Sequence, residues 1–197
     1  RRTRGRQKKR DPMVGVVQRL DKDTTGVLVF ARTMNAKRSL EAQLREHSVG
    51  RRYDGLVHGE LTGGTRVSWI VPDRGDGLRG SWGERPWHRG PRPEDAKRSV
   101  THIDAIERFG VASRISCRLE TGRQHQIRIH VSEMGHPLLG ERVYIRDYGG
   151  PTIDAPRPML HAAELSFEHP HTGERMTFTR EPPADFAALV ARLRDRG

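Results

Sequence analysis

The segment Gln18-Arg19-Leu20-Asp21-Lys22-Asp23-Thr24-Thr25-Gly26 is polar, ends on glycine and is bounded by two apolar runs, Val14 to Val17 and Val27 to Phe30. Such runs read as strands. The segment between them is then a turn at a sheet end, where loops on a rigid scaffold carry sites. Asp21 follows Leu20 directly and stands between Arg19 and Lys22. A partly buried carboxylate beside cations is equipped to act as a nucleophile or a base. The same residues also make a good turn, because Asx-turn hydrogen bonds account for Asp23 and Thr24 without chemistry. The rest of the chain has to decide.

After this turn, Thr33 is placed to cap a helix whose apolar stripe is Ala36, Leu40 and Leu44, with Gln43 at its edge. Arg51 to Glu60 reads as a strand. Tyr53, Gly55 and Val57 share one face, and Arg52, Asp54, Leu56 and His58 the other. A tyrosine in that setting is most often packing. Residues 73–95 are dense in Gly, Pro, Arg and Trp and have no period, so they read as a long loop or insertion. Trp69, Trp82 and Trp87 could stack on bases or pin that loop; Trp69 is assigned to pinning. Ser99 to Arg108 and Ala112 to Leu119 form a hairpin through Phe109-Gly110.

The block from Leu119 to Tyr144 is the second informative stretch. Thr121 is a natural N-cap and Gly135 a natural stop, with Ile127, Val131 and Met134 as the buried stripe between them. Arg123, His125 and Arg128 gather at the start of that helix, a favourable place for a phosphate. A second hairpin follows, Met159 to Phe167 and Glu174 to Arg180, turning at His171-Thr172-Gly173. A short helix, Ala184 to Arg194, comes after Pro182-Pro183. There are no internal repeats.

Charge narrows the partner. The 197 residues carry a formal net charge of +11, which favours a polyanion, with nucleic acid first. Arg1 to Arg10 is a basic tail without apolar periodicity, as compatible with a linker as with nucleic-acid contact. A single cysteine, Cys117, excludes an intrachain disulfide and a multi-cysteine zinc site, and fits a reducing cytoplasm. No apolar run reaches membrane-spanning length and no signal peptide is visible.

The two blocks, in this order, resemble the signatures of the RluA-type pseudouridine synthases. Residues 19–26 are similar to the family's HRLD-x-x-TSG turn, and residues 119–140 to its TGR-x-HQIR-x-H block with the following GHP-LGD. Arg52-Tyr53 with Val57 and Gly59 resembles its tyrosine strand. Leu160-His161-Ala162 with His169-Pro170 and Thr172-Gly173-Glu174 resembles its closing hairpin. The resemblance runs from about Val14 to about Phe186. Four separated matches in order are far more specific than any one of them. Gln18 stands where the family has histidine, Thr25 where it has serine, and Glu141 where it has aspartate.

The resemblance implies an α+β pseudouridine synthase fold: a curved, mainly antiparallel sheet flanked by helices, with a central RNA cleft. With the basic tail set at residues 1–12, it implies a catalytic domain over 13–197 that contains the 73–95 loop as an insertion. It also implies isomerisation of uridine to pseudouridine in structured RNA, ribosomal RNA being favoured over transfer RNA, by a cytoplasmic monomer without cofactor or metal. Carried over by position, Asp21 is the catalytic aspartate, Tyr53 the active-site tyrosine and Arg128 the arginine paired with Asp21. Arg19, Arg123 and His125 are placed on the RNA.

Two other readings compete. Asp21-Lys22-Asp23-Thr24-Thr25 also matches the Asp-x-Asp-x-Thr loop of dehalogenase-type phosphatases. Those need Mg²⁺ and further acidic residues at the ends of later parallel strands, whereas the later strands here end in Gly, Arg and His and read as hairpins. A non-catalytic RNA-binding module would suit the charge, but Asp21 repels phosphate and needs a reason to be in a basic cleft. His125/His130 and His169/His171 lack the acidic partner and the spacing of a zinc helix motif.

Overall fold

The computed structural model describes residues 14–84, 88 and 90–195. In chain order the elements are β1 (Gly15–Val16), β2 (Thr25–Gly26), β3 (Phe30–Ala31), α1 (Met34–Arg45), β4 (Gly50–His58), β5 (Gly64–Val71), β6 (Gly80–Ser81), β7 (Lys97–Arg108), β8 (Ala112–Leu119), α2 (Gln126–Glu133), β9 (Leu160–Glu168), β10 (Arg175–Thr179) and α3 (Ala184–Arg194). The basic tail expected over residues 1–12 lies outside the described residues, as does Trp87.

Seven strands form one path in the order β10-β9-β4-β8-β7-β5-β6, every neighbour antiparallel. β2 joins β9 in parallel, pairing Thr25 with His161 and Gly26 with Ala162. It takes over the edge of β9 where β10 has ended, since β10 pairs only with Glu164 to Glu168. β1 and β3 make a separate two-stranded ribbon. The α+β architecture with a mainly antiparallel sheet is therefore as expected.

The centre of the sheet is buried on both faces, and β4 shows why. Its consecutive residues Leu56 and Val57 are fully buried on opposite sides. Leu56 packs with Leu139, Phe186, Leu189 and Leu193, the last three from α3. Val57 packs with Ile115, Leu138, Ile127 and Val131, the last two from α2. Each such side chain contributes about 1.5–3 kcal/mol of burial. α1 covers a third cluster, with Leu40 on Val49, Leu165 and Phe167.

Thr33 caps α1 as its sequence suggests, accepting the Ala36 N–H at 3.1 Å. Gln43 is buried for a reason periodicity does not show. Its amide exchanges two hydrogen bonds with the Glu168 backbone, at 2.9 and 2.8 Å, tying α1 to the end of β9.

α2 departs from expectation. It begins at Gln126, not after a Thr121 cap, and its N-cap position is His125 in the left-handed region at φ 59°. Thr121 is used elsewhere. Its hydroxyl accepts the Val100 N–H of β7 and contacts the Gln126 carbonyl oxygen at 2.7 Å. The Thr-Gly pair thus closes the β8–α2 turn against β7 and leaves the helix to start one turn later. Gly135, at φ 83°, ends α2 as expected, with the His136 N–H reaching back to the Val131 carbonyl.

The 73–95 segment is partly built rather than open. The Asp73 carboxylate accepts the Gly75 and Gly77 N–H groups, and Arg74 is buried against Asp76. β6 then returns to β5. Trp69 lies under the Arg92 guanidinium at 3.4 Å, consistent with pinning, and Trp82 stacks on His88 at 4.4 Å.

Candidate active site

The turn carrying Asp21 is fixed mainly from its far side. Thr24 N–H closes it on the Asp21 carbonyl at 3.0 Å. Thr25 meets His161 Nδ1 at 2.8 Å, and His161 Nε2 meets the Arg180 carbonyl at 3.0 Å. A carbonyl can only accept, so Nε2 carries the proton and the Thr25 hydroxyl donates to Nδ1. Gly26, at φ 118°, runs so close to β9 that a Cβ would overlap the Ala162 backbone. Arg157, itself in a two-point pair with Asp185, donates to the Asp23 carbonyl at 3.2 Å. These anchors hold the turn without any contribution from Gln18.

Beside the turn lies a cleft of about 830 Å³. One wall is the 16–24 segment with the end of α1; the other is the 119–127 segment between β8 and α2. Tyr53 lies between them on β4, half-buried, beside a register shift at Arg52/Tyr53 in the pairing with β9. The extra residue, Ala163, is on β9, so the alternation of β4 runs unbroken and Tyr53 stays on the face of Arg51. Asp21 is the one carboxylate among the described lining residues, while Arg19, Lys22, Arg45, Arg51 and Arg123 bring positive charge. Burial raises the Tyr53 phenol above its ordinary value; the Arg51 charge opposes this and the Asp21 charge adds to it.

Asp21, Tyr53, Arg19, Arg123 and His125 are thus brought together. Arg128 is not among the cleft-lining residues, and the pairing expected with Asp21 is corrected. Its Nε and Nη2 donate to the two carboxylate oxygens of Glu141 at 2.7 and 2.8 Å. Both residues are buried, at 6% and 3% exposure. Glu141 also accepts the Arg142 and Val143 N–H groups at 3.0 and 2.8 Å. Burial works against the charge of each, yet the pairing wins. Arg128 is raised above its ordinary value, with a smaller contribution from the Asp21 charge, and Glu141 is lowered. Arg128 thus feels the Asp21 charge without a contact to it. Glu141, held by the two backbone N–H groups that follow it, presents both carboxylate oxygens to the guanidinium.

His125 links the layers. It lines the cleft, and its Nδ1 meets the Tyr144 hydroxyl at 2.7 Å. Burial pushes its imidazole below the ordinary value, with Asp21 pulling upward and Arg128 downward. Tyr144 also lies against Arg128, 5.3 Å from ring centre to guanidinium. Its phenol is pushed up to about 12, mainly by burial.

Behind this site α2 is held by a buried polar chain. Gln126 reaches Thr101 at 3.0 Å, Thr101 reaches His130 Nδ1 at 2.9 Å, and His130 Nε2 reaches Ser68 at 2.9 Å. Ser68 contacts Ser81, which also lies 2.6 Å from the Glu133 carboxylate. The Gln126 amide donates to Thr101, so the Thr101 proton goes to Nδ1 and His130 donates through Nε2 as a neutral ring. Burial, aided by the Arg66 charge, lowers the His130 imidazole from 6.5 to about 3. The unfolded chain then binds a proton below pH 6.5 that the folded chain refuses, so stability falls as pH falls through that window. The slope in urea unfolding should start at about 0.7 kcal/mol per pH unit at pH 6.5 and approach about 1.4 by about pH 5. His130→Gln is expected to flatten it; an equally steep slope in that variant would assign the acid sensitivity elsewhere.

Sequence reasoning passed over Arg51, which lies two residues before Tyr53 and reaches the same cleft. Its alternation with Tyr53 was a usable signal. It also passed over the Thr24 hydroxyl, buried in the cleft wall without a partner.

The model of one protein family, described as RNA pseudouridylate synthase, matches residues 1–133. The chain belongs to this family, in its RluA-type branch. Curated relatives include the ribosomal large subunit pseudouridine synthase D of Nitrosomonas europaea, 39% identical over 191 residues. The protein of the same name from Pseudomonas aeruginosa is 37% identical over 193 residues. Each alignment covers 93% of this chain, but only 52% and 58% of those proteins, so the chain spans about half the length of the curated relatives it matches. Among solved structures, human RNA pseudouridylate synthase domain containing 4 superposes with a TM-score of 0.77 at 20% identity, covering 92% of this chain and 76% of that one. Human RNA pseudouridylate synthase domain containing 1 gives 0.68 at 25%, covering 94% and 82%. Both have the same fold.

Proposed function

We propose that the chain is an RNA pseudouridine synthase acting on uridines in structured RNA, with ribosomal RNA as the substrate. The observation that carries this reading is Asp21, the one carboxylate among the described residues lining a cleft whose other charged residues are Arg19, Lys22, Arg45, Arg51 and Arg123, with the half-buried Tyr53 beside it. A cationic cleft binds the RNA backbone; a carboxylate there opposes binding and is explained by chemistry. The relatives named for ribosomal large-subunit modification support the choice of RNA.

The reaction breaks the bond from uracil N1 to ribose C1′ and makes one from C5 to C1′. C5 loses a proton and N1 gains one. The target base has to leave its stack, at a cost of a few kcal/mol, and Tyr53 offers a face to receive it. Asp21 attacks C1′ or stabilises its developing positive charge, as carboxylates do in glycoside chemistry. Arg128 is a positioning residue, holding α2 and biasing Asp21 from behind the wall. Arg19, Arg123 and His125 take the RNA. Residues 13–197 would be one catalytic domain with 73–95 as an insertion, working as a monomer in the cytoplasm.

A transcript of large-subunit ribosomal RNA carrying [5-³H]uridine tests this. We expect tritium release on the pre-folded transcript to continue after a chelator removes divalent ions, and affinity to fall steeply with salt. Release that stops with the chelator would overturn the metal-free chemistry expected of Asp21. Salt-dependent binding without any release would leave an RNA-binding module. Among the described residues no group of three or more His, Cys, Asp or Glu is arranged to hold a metal ion, and no helix is long and apolar enough to cross a membrane.

A further inference from the structure

Arg51 and Arg123 stand close together on the Tyr53 side of the cleft, and neither pairs with a carboxylate among the described residues. Arg51 gives Nη2 to the Glu120 carbonyl at 3.0 Å, while its Nε is buried with no partner. Arg123 gives Nε to the Arg98 carbonyl at 3.2 Å. The carboxylate of Glu120, whose backbone carbonyl Arg51 holds, is engaged with His102 at 2.8 Å and Arg98 at 3.9 Å. Both arginines spend one donor each on a backbone carbonyl, which orients a guanidinium without neutralising it. Gly122 makes the approach possible, because a Cβ there would overlap Arg51 Nη1.

The two cations also feel each other. Burial lowers the Arg51 guanidinium below its ordinary value; Tyr53 opposes this and the Arg123 charge pushes further down. Two like charges, one of them half-buried, are a standing cost unless an anion completes them. Arginine forks fit phosphate geometry in particular.

We propose that Arg51 and Arg123 together hold one backbone phosphate of the RNA, adjacent to the uridine received at Tyr53. This rests on the function proposed above and adds to it a substrate-positioning role for Arg51. Arg51 and Tyr53 share one face of β4, so a phosphate held by the first sets the distance from which a nucleotide reaches the second. Arg51 then contributes to alignment as well as affinity.

Ethylation interference reads this out phosphate by phosphate. A large-subunit ribosomal RNA transcript, sparsely ethylated on its phosphates with ethylnitrosourea, is partitioned by binding to the wild-type protein, Arg51→Gln, Arg123→Gln and Arg51→Lys. We expect one phosphate whose ethylation excludes RNA from the wild-type complex to stop mattering in Arg51→Gln, and the same phosphate in Arg123→Gln. Affinity should fall about five- to tenfold in each, with a salt slope smaller by about one contact. Arg51→Gln should raise KM by more than it lowers kcat. Arg51→Lys keeps the charge and loses the fork, so its interference should weaken at that phosphate alone; it carries the test if the glutamine variant does not fold. An unchanged pattern in the Arg51 variants, or different phosphates lost in the two glutamine variants, overturns the shared site. Binding is scored without turnover, so absence of pseudouridine would sink the catalytic reading and leave this result standing.

Discussion

Asp21→Asn is expected to lower pseudouridine formation by at least about a thousandfold, the scale on which loss of a group acting directly on the transition state is felt. RNA affinity should stay or rise. The side chains have the same shape, so the turn closed by Thr24 N–H on the Asp21 carbonyl and anchored through Thr25 and His161 has no reason to move. What changes is charge. Asp21 is the one carboxylate lining the cleft among the described residues, and removing it deepens the positive potential that attracts phosphate. Turnover and affinity thus move in opposite directions, which damage to the fold does not produce. Tritium release and filter binding on the same RNA decide it. Undiminished release would mean the carboxylate chemistry assigned to Asp21 is wrong.

How much of this could be read from the chain follows from which contacts are local. Thr33, Gly135 and the Phe109-Gly110 turn act on residues a few positions away, and their roles were legible. Strand alternation placed Tyr53 on one face with Gly55 and Val57, but only the resemblance put it in the site. Thr121 was misread because Val100, on a strand about twenty residues earlier, competes for its hydroxyl and wins over a capping role. β6 was missed because a Gly- and Arg-rich stretch hides a two-residue edge strand, and the eight-residue β5 between β7 and β6 was passed over. Arg128 was placed on the right helix and given the wrong partner. Local sequence gives no measure of whether a guanidinium reaches across to Asp21 or backward to Glu141. Glu141 lies thirteen residues on, beyond the end of α2, so the pairing is a tertiary fact. Gln18 departs from the family's histidine, and the hydrogen bonds described for the turn lie at Asp21 and Asp23 to Thr25.

The Arg128–Glu141 pair is expected to be the costliest polar contact to break from one side. Glu141→Ala, or Arg128→Met, should destabilise the protein by about 3–5 kcal/mol in denaturant unfolding, because each leaves a buried charge without its partner. The pair also gives an acid limb. The folded Glu141 carboxyl lies below its usual value of 4.5, so its contribution is present above that pH and is lost as pH falls through the lower folded value. Removing both charges, as Arg128→Met with Glu141→Leu, should return much of the lost stability, since apolar replacement of a buried pair is often neutral or better. Turnover separates the structural role from the electrostatic one. If Arg128 serves only to hold α2, the double variant regains activity with stability. The field it exerts on Asp21 and on His125 argues otherwise. We expect the stable double variant to remain at least about tenfold slower than wild type, the rate equivalent of about 1.4 kcal/mol of transition-state charge stabilisation. Full recovery of turnover would reduce Arg128 to a structural brace.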